Sequence, residues 1–225
     1  TILALGSRGD VQTYVALGKG LLDAGFQVRV STFESFREMV TEQSLDFHPV
    51  PGNAQALTEM MMSGNSLNSG NPFTTMRAIM NSFGQLANDY IEAFSAESLM
   101  DSDAILNQLP GGLFGSDLAE KLGVPHITVS VIPLIPTRAF PNPLLGRRSL
   151  GAAVNLASYW GSAQLLWTFF RPHIVRFRQR LGLSAPTRLL AQPRGLTING
   201  FSPQVITSPP DWGEQVHSTG YWLLD

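Results

Sequence analysis

The chain begins with TILALGSRGDVQTY, residues 1–14, and this stretch predicts the fold. Residues 1–5 are a short apolar run, typical of a strand that a parallel sheet buries on both faces. Gly6 and Gly9 allow a sharp turn and a close approach of the backbone to a ligand. Asp10 follows where a helical pattern begins. A strand, a glycine turn and a helix start together predict an anion-binding site, because free amides and the helix dipole point the same way.

The pattern that follows alternates between helix and strand. Helical spacing of apolar residues continues to Gly25, and residues 26–32 alternate as a second strand. Residues 34–43 predict a short helix and residues 45–50 a third strand. This βαβαβ series predicts an α/β fold with a Rossmann-like, doubly wound parallel sheet. Ligands bind such sheets at the carboxyl ends of the strands, where Gly6 and Asp10 lie.

The rest of the chain continues the same architecture around less regular segments. Residues 53–72 predict a mobile loop, and an apolar stripe predicts a long helix over residues 73–99. Further elements are predicted as strands at 103–109, 124–132 and 196–199 and helices at 114–122 and 149–181. Residues 133–143 contain four prolines and follow the fifth strand. This stiff loop therefore belongs on the same rim as Asp10.

Composition excludes several classes of protein. The chain has 225 residues, of which 14% are charged, and its formal net charge is −2, so no nucleic-acid partner is predicted. It has no cysteine, and its four histidines lack the spacing of metal ligands, so no metal site is predicted. We interpret His126 as a buried, hydrogen-bonded structural histidine. The low charge fits either a large packed domain or a surface that another domain, an apolar ligand or a membrane covers.

Targeting signals are also missing from the printed sequence. It shows no signal peptide and no uncharged apolar run long enough to span a membrane, which predicts a cytoplasmic location. The first residue is Thr1 instead of methionine, so we expect these residues to be part of a longer chain.

The glycine turn does not match other nucleotide-binding motifs. Its glycines are three residues apart and no third glycine completes the G-x-G-x-x-G fingerprint, which disfavours a nicotinamide oxidoreductase. The chain has neither a Walker lysine motif nor a G-x-S-x-G elbow.

The run GSRGDVQ, the helix YVALGKGLLDAGFQVRV and the closing segment VHSTGYWLLD carry a family resemblance. Together they resemble the sterol-glucosyltransferase-like and antibiotic-glucosyltransferase enzymes, which are nucleotide-sugar-dependent transferases of the two-domain GT-B fold. The resemblance covers nearly the whole chain. It implies that residues 1–215 are the N-terminal acceptor-binding domain and that residues 216–225 begin the interdomain linker. A C-terminal donor-binding domain would then be a required partner.

The same resemblance implies an inverting, metal-independent hexosyl transfer, with UDP-glucose as the expected donor and no cofactor. Asp10 would be the general base that takes the proton from the acceptor hydroxyl. The turn residues would face the donor phosphates: Gly6, Ser7, Arg8 and Gly9. The acceptor would be a sterol, lipid or natural-product aglycone, and peripheral membrane contact is a further expectation. Residues expected to contact the acceptor are Pro136, Thr137, Phe140, Trp160 and Trp167.

Each of these roles has a structural alternative. Asp10 would only cap the helix, Arg8 would bridge domains, and Trp160 and Trp167 would pack in the core. At the level of function, the alternative is a non-catalytic module that binds a hydrophobic small molecule.

Overall fold

The computed structural model describes residues 1–53, 87–95, 97–107, 112–145, 148–186 and 195–224. The mobile loop predicted over 53–72 and most of the helix predicted over 73–99 lie outside these residues. The strands are β1 (Ile2–Leu3), β2 (Arg29–Phe33), β3 (Asp46–Val50), β4 (Ile105–Asn107), β5 (His126–Ser130), β6 (Thr197–Asn199) and β7 (Val216–Ser218). The helices are α1 (Arg8–Asp23), α2 (Arg37–Thr41), α3 (described over 87–94), α4 (Gly112–Leu122) and α5 (Ala152–Arg180). Two short 3₁₀ turns span Glu34–Phe36 and Glu97–Leu99.

The strands form one parallel sheet in the order β3-β2-β1-β4-β5-β6-β7. The predicted doubly wound α/β fold is confirmed. The strand order reverses between β1 and β4, so the loops after these two strands diverge and leave a crevice at their carboxyl ends. The turn of residues 6–10 follows β1 and therefore borders this crevice.

Helices cover both faces of the sheet. On one face, α1 packs so closely that a Cβ on Gly18 would lie 3.0 Å from Leu45 and 3.5 Å from Ile2. On the other face, β2, α3, α4 and α5 are joined by a chain of buried aromatic rings. The centroid distances along this chain are 6.2 Å for Phe33–Tyr90, 6.3 Å for Tyr90–Phe94, 6.2 Å for Phe94–Phe114 and 5.1 Å for Phe114–Phe177. This aromatic chain holds the sheet and three helices as one core.

The segment predicted to begin the linker contains a strand. Val216–Ser218 is the seventh strand and pairs with β6 from Thr197↔Val216 to Asn199↔Ser218. The sheet therefore continues past residue 215, where a linker was expected to begin. Among the described residues, no helix is both long and apolar enough to cross a membrane.

Candidate functional site

Asp10 lies in the first turn of α1, at the carboxyl edge of β1. Ser7 is the N-cap residue of this helix, and its backbone N–H donates to Asp10 Oδ2 at 2.9 Å. The Ser7 hydroxyl donates to the same oxygen at 2.8 Å. No described residue donates to Asp10 Oδ1. The carboxylate is thus oriented through one oxygen, while the other remains available to a ligand.

Gly6 makes this arrangement possible. A Cβ at position 6 would lie 2.6 Å from Asp10 Oδ2 and 2.8 Å from Asp10 Cβ. Real Cβ atoms do not approach other atoms so closely, so any larger residue would displace the aspartate side chain. Glycine here is required by the close approach of a carboxylate to the backbone.

A buried tyrosine adjoins Asp10. Tyr14 lies four residues after Asp10, one helical turn along α1, and only 2% of its surface is exposed. Its pKa is raised, first by burial and then by the negative charge of Asp10. The phenol of Tyr14 therefore stays neutral. The carboxylate of Asp10 itself is half-buried and lies at the edge of the core.

The other turn residues surround this carboxylate. Ser7 is half-buried, whereas Arg8 and Gly9 are exposed at the start of α1. The first amides of an α-helix have no intrahelical acceptor and carry the positive end of its dipole. The exposed turn thus carries amides of the helix start beside the carboxylate of Asp10. Its binding of an anion stays a prediction.

Under the role of general base that the family resemblance implies for Asp10, Gly6→Ala is expected to lower turnover on the order of 10²-fold, because a displacement of the carboxylate by about 1 Å misaligns it with the substrate. Gly20→Ala in the same helix is the matched control, since a Cβ there meets nothing within 4 Å. Steady-state kinetics of both variants test the prediction. Equal turnover in the two variants would show that the Gly6–Asp10 contact is unimportant.

A second polar pair joins Asn107, at the carboxyl end of β4, to His126. Sequence analysis assigned no role to Asn107. His126 Nε2 lies 2.6 Å from Asn107 Oδ1 and donates to it, because an amide oxygen can only accept. Burial lowers the pKa of His126, so the ring is neutral at physiological pH. A Cβ on Gly115 would lie 1.9 Å from the same Asn107 oxygen, so glycine at this position lets α4 pack directly on the Asn107 side chain. The interpretation of His126 as a structural histidine agrees with this contact.

The proline-rich loop of residues 133–143 is held by Asp211. Thr137 Oγ1 donates to Asp211 Oδ1 at 2.6 Å, and the Arg138 backbone N–H donates to Oδ2 at 2.7 Å. Desolvation acts to raise the pKa of Asp211, but these two donors, together with its own backbone N–H and the charge of Arg138, hold the pKa below its usual value. Thr137, one of the residues predicted to contact the acceptor, is fully buried, and its side chain supports the loop.

An apolar cleft of about 320 Å³ lies between this loop and the residues after β6. It is lined by Pro133, Phe140, Val205, Ile206 and Thr207. Phe140 packs edge-on against Trp212, with ring centroids 6.3 Å apart. Of the residues predicted to contact the acceptor, Phe140 lines the cleft, and Pro136 lies half-buried in the same loop.

The two tryptophans of α5 differ in environment. Trp160 is 48% exposed, whereas Trp167 is partly buried against the hydrophobic core. Helix α5 packs on the core through its C-terminal half, where Ile174 and Phe177 are buried. Trp167 therefore packs partly against the core, and Trp160 lies on the surface. Among the described residues, no group of three or more potential ligands could hold a metal ion.

The fold places this chain in the α/β class of Rossmann-like domains that form one half of GT-B glycosyltransferases. It superposes on the calicheamicin glycosyltransferase CalG4 with a TM-score of 0.57 and 14% identity, over 98% of this chain and 51% of that one. For the glycosyltransferase of kitacinnamycin the TM-score is 0.58, at 15% identity over 100% of this chain and 51% of that one. At such identity the likeness concerns the fold alone.

The chain belongs to the glycosyltransferase family 28 N-terminal domain, whose family model matches residues 1–141. It is 29% identical over 228 residues to the sterol 3-beta-glucosyltransferase ATG26 of Gibberella zeae, covering 100% of this chain and 15% of that protein. It is 30% identical over 227 residues to the sterol 3-beta-glucosyltransferase of Aspergillus oryzae, covering 100% of this chain and 16% of that protein. The chain thus spans about one sixth of these curated relatives.

Proposed function

We propose that this chain is the acceptor-binding half of an inverting glucosyltransferase acting on a sterol-like hydroxyl. The observation that carries the proposal is the half-buried carboxylate of Asp10, which is held through Oδ2 and leaves Oδ1 without a donor among the described residues. Membership of the glycosyltransferase family and the names of the curated relatives support the transferase class and the sterol acceptor.

In the proposed reaction, Asp10 Oδ1 accepts the proton of the acceptor hydroxyl as that oxygen attacks the anomeric carbon of UDP-glucose. The bond between the anomeric carbon and the diphosphate oxygen breaks, and UDP leaves with the bonding electrons. A single displacement of this kind inverts the anomeric configuration. Positioned proton transfer contributes about 10²–10⁴-fold to such a reaction.

The turn of residues 6–9 would contribute to the same step. The exposed amides at the start of α1, beside Arg8 and Gly9, lie next to Asp10 and favour the negative charge of the leaving diphosphate. The sugar nucleotide itself would be held by a C-terminal donor-binding domain, as in two-domain GT-B enzymes.

The test uses the polypeptide as its native host produces it, with its intact mass measured first. We expect the purified protein to convert UDP-glucose and a 3-hydroxysterol into a steryl glucoside whose anomeric configuration is opposite to that of the donor. Product analysis by mass spectrometry and NMR measures both outcomes, and a reaction without sterol is the control. Saturable sterol binding without glucoside formation would instead identify a binding module.

A further inference from the structure

We propose that Asp211 is a positioning residue for the acceptor, which gives the apolar cleft its shape by tying the two loops that form it together. The cleft would take the apolar body of the acceptor. This inference rests on the proposed function, since it assigns a binding site to the acceptor half of the same reaction.

The carboxylate of Asp211 fixes the proline-rich loop at two points. Each of its oxygens accepts one hydrogen bond, from the Thr137 hydroxyl and from the Arg138 backbone N–H. The Thr137 hydroxyl also accepts a hydrogen bond from the Ala139 N–H at 3.0 Å. Bonds to an ionised acceptor are shorter and stronger than neutral ones, and two divergent oxygens fix orientation as well as distance.

The residues next to these contacts form the cleft wall. Trp212 follows Asp211 directly, and its ring lies 6.3 Å from that of Phe140 and 6.5 Å from that of Phe201. Phe140 lines the cleft opposite Val205 and Ile206. The Asp211 contacts therefore set the distance between the two sides of the cleft.

Helix α5 holds the same loop independently. Asn155 Nδ2 donates to the Arg138 carbonyl oxygen at 2.9 Å, and Asn142 Nδ2 donates to Ser162 Oγ at 2.7 Å. Loss of the Asp211 contacts would thus leave the loop anchored on α5 and release only the side that faces the cleft. The expected effect is local to acceptor binding.

The composition of the cleft defines the class of ligand. Four of the five lining residues are apolar and favour an apolar molecule, and a volume of about 320 Å³ is within the range of small-molecule sites.

The first experiment substitutes Asp211→Ala in the native polypeptide. We expect the KM for the sterol acceptor to rise about tenfold, as loss of a charge-assisted hydrogen bond implies. The KM for UDP-glucose and kcat at saturating sterol should stay within about twofold, because uniform binding is what is lost. Glu214→Ala is the matched control, since this nearby carboxylate is exposed like Asp211 but accepts no hydrogen bond from the described residues.

Two further variants keep the inference testable if Asp211→Ala folds poorly. Thr137→Val retains side-chain volume but removes the hydroxyl, and Val205→Trp fills the cleft while leaving the Asp211 contacts intact. Both should raise the sterol KM. An unchanged sterol KM in all three variants, or an equal rise of both KM values, would overturn the inference.

Direct binding of dehydroergosterol, a fluorescent sterol, separates this inference from the proposed function. If the native protein transfers no glucose, the proposed function fails, whereas weaker dehydroergosterol binding by Val205→Trp and Asp211→Ala would still support the cleft. Unaltered dehydroergosterol binding in both variants would overturn it.

Discussion

Substituting Asp10→Asn is expected to lower kcat for sterol glucosylation by about 10²–10⁴-fold, the usual contribution of a positioned general base. The KM for the acceptor should change little, because the new side chain has the same size. Steady-state kinetics with saturating UDP-glucose and varied sterol measure both parameters. This is the largest effect on activity that the structure predicts.

The substitution should spare the fold, which makes the result interpretable. The amide oxygen of the new side chain can occupy the place of Oδ2 and accept the hydrogen bonds that Ser7 now donates. The amide nitrogen then replaces Oδ1. That nitrogen donates hydrogen bonds and cannot take a proton, so only the proposed chemical step is lost.

Asp23→Asn is the control for this experiment, since Asp23 is an exposed carboxylate in the same helix and pairs with Lys19. Its kinetics should match those of the unaltered protein. Turnover that survives in Asp10→Asn, with thermal midpoints equal in all three proteins, would remove Asp10 from its role as base and leave it as a helix cap.

The fold was predictable because its signals are local. The apolar run of residues 1–5 indicated the buried strand Ile2–Leu3, and alternation over residues 26–32 indicated the next strand. The helix between them repeats its apolar residues every three to four positions. The turn after β1 was predictable for the same reason: Gly6, Ser7 and Asp10 contact one another within five residues of chain.

The edge strand β7 was missed for the converse reason. Val216–Ser218 has only three residues, none of them fully buried, and so lacks an apolar alternation. Its pairing with β6 is visible only once the sheet is assembled. Short edge strands owe their position to hydrogen bonds with a neighbour, and these leave little trace in composition.

The Asp211 contacts also escaped sequence analysis. They join residues 73 and 74 positions apart, and the segment Ser208-Pro-Pro-Asp211 resembles an ordinary turn. The same distance in sequence hid the hydrogen bond that the Thr137 hydroxyl donates to Asp211. The spacing of residues in the sequence identifies side chains that lie on the same helix or strand, but it does not show which residues of two separate loops contact each other.

The largest expected effect on stability comes from Arg178, which joins α5 to α4. Its side chain is 7% exposed and donates to Asp117 at 2.5 Å, to both oxygens of Glu120 at 2.8 Å and to the Ser184 carbonyl oxygen at 2.6 Å. Arg178→Met would leave the buried Asp117 carboxylate unpaired. We expect a loss of about 3 kcal/mol in the free energy of unfolding, the lower end for a broken buried pair because Glu120 can turn to solvent.

Denaturant unfolding of the native polypeptide, compared with Arg176→Met, measures this effect. Arg176 is exposed on the same helix and contacts Asn88, so its loss should cost less than about 0.5 kcal/mol.

Burial raises the pKa of Asp117 despite the pairing, so its negative charge is unfavourable inside the protein. Adding Asp117→Asn to Arg178→Met should therefore restore part of the lost stability, whereas independent sites would add within about 0.5 kcal/mol. Such additivity would mean that Arg178 acts through packing alone. Partial restoration would instead show that an ion pair secures α5, the helix whose other end holds the proline-rich loop through Asn155.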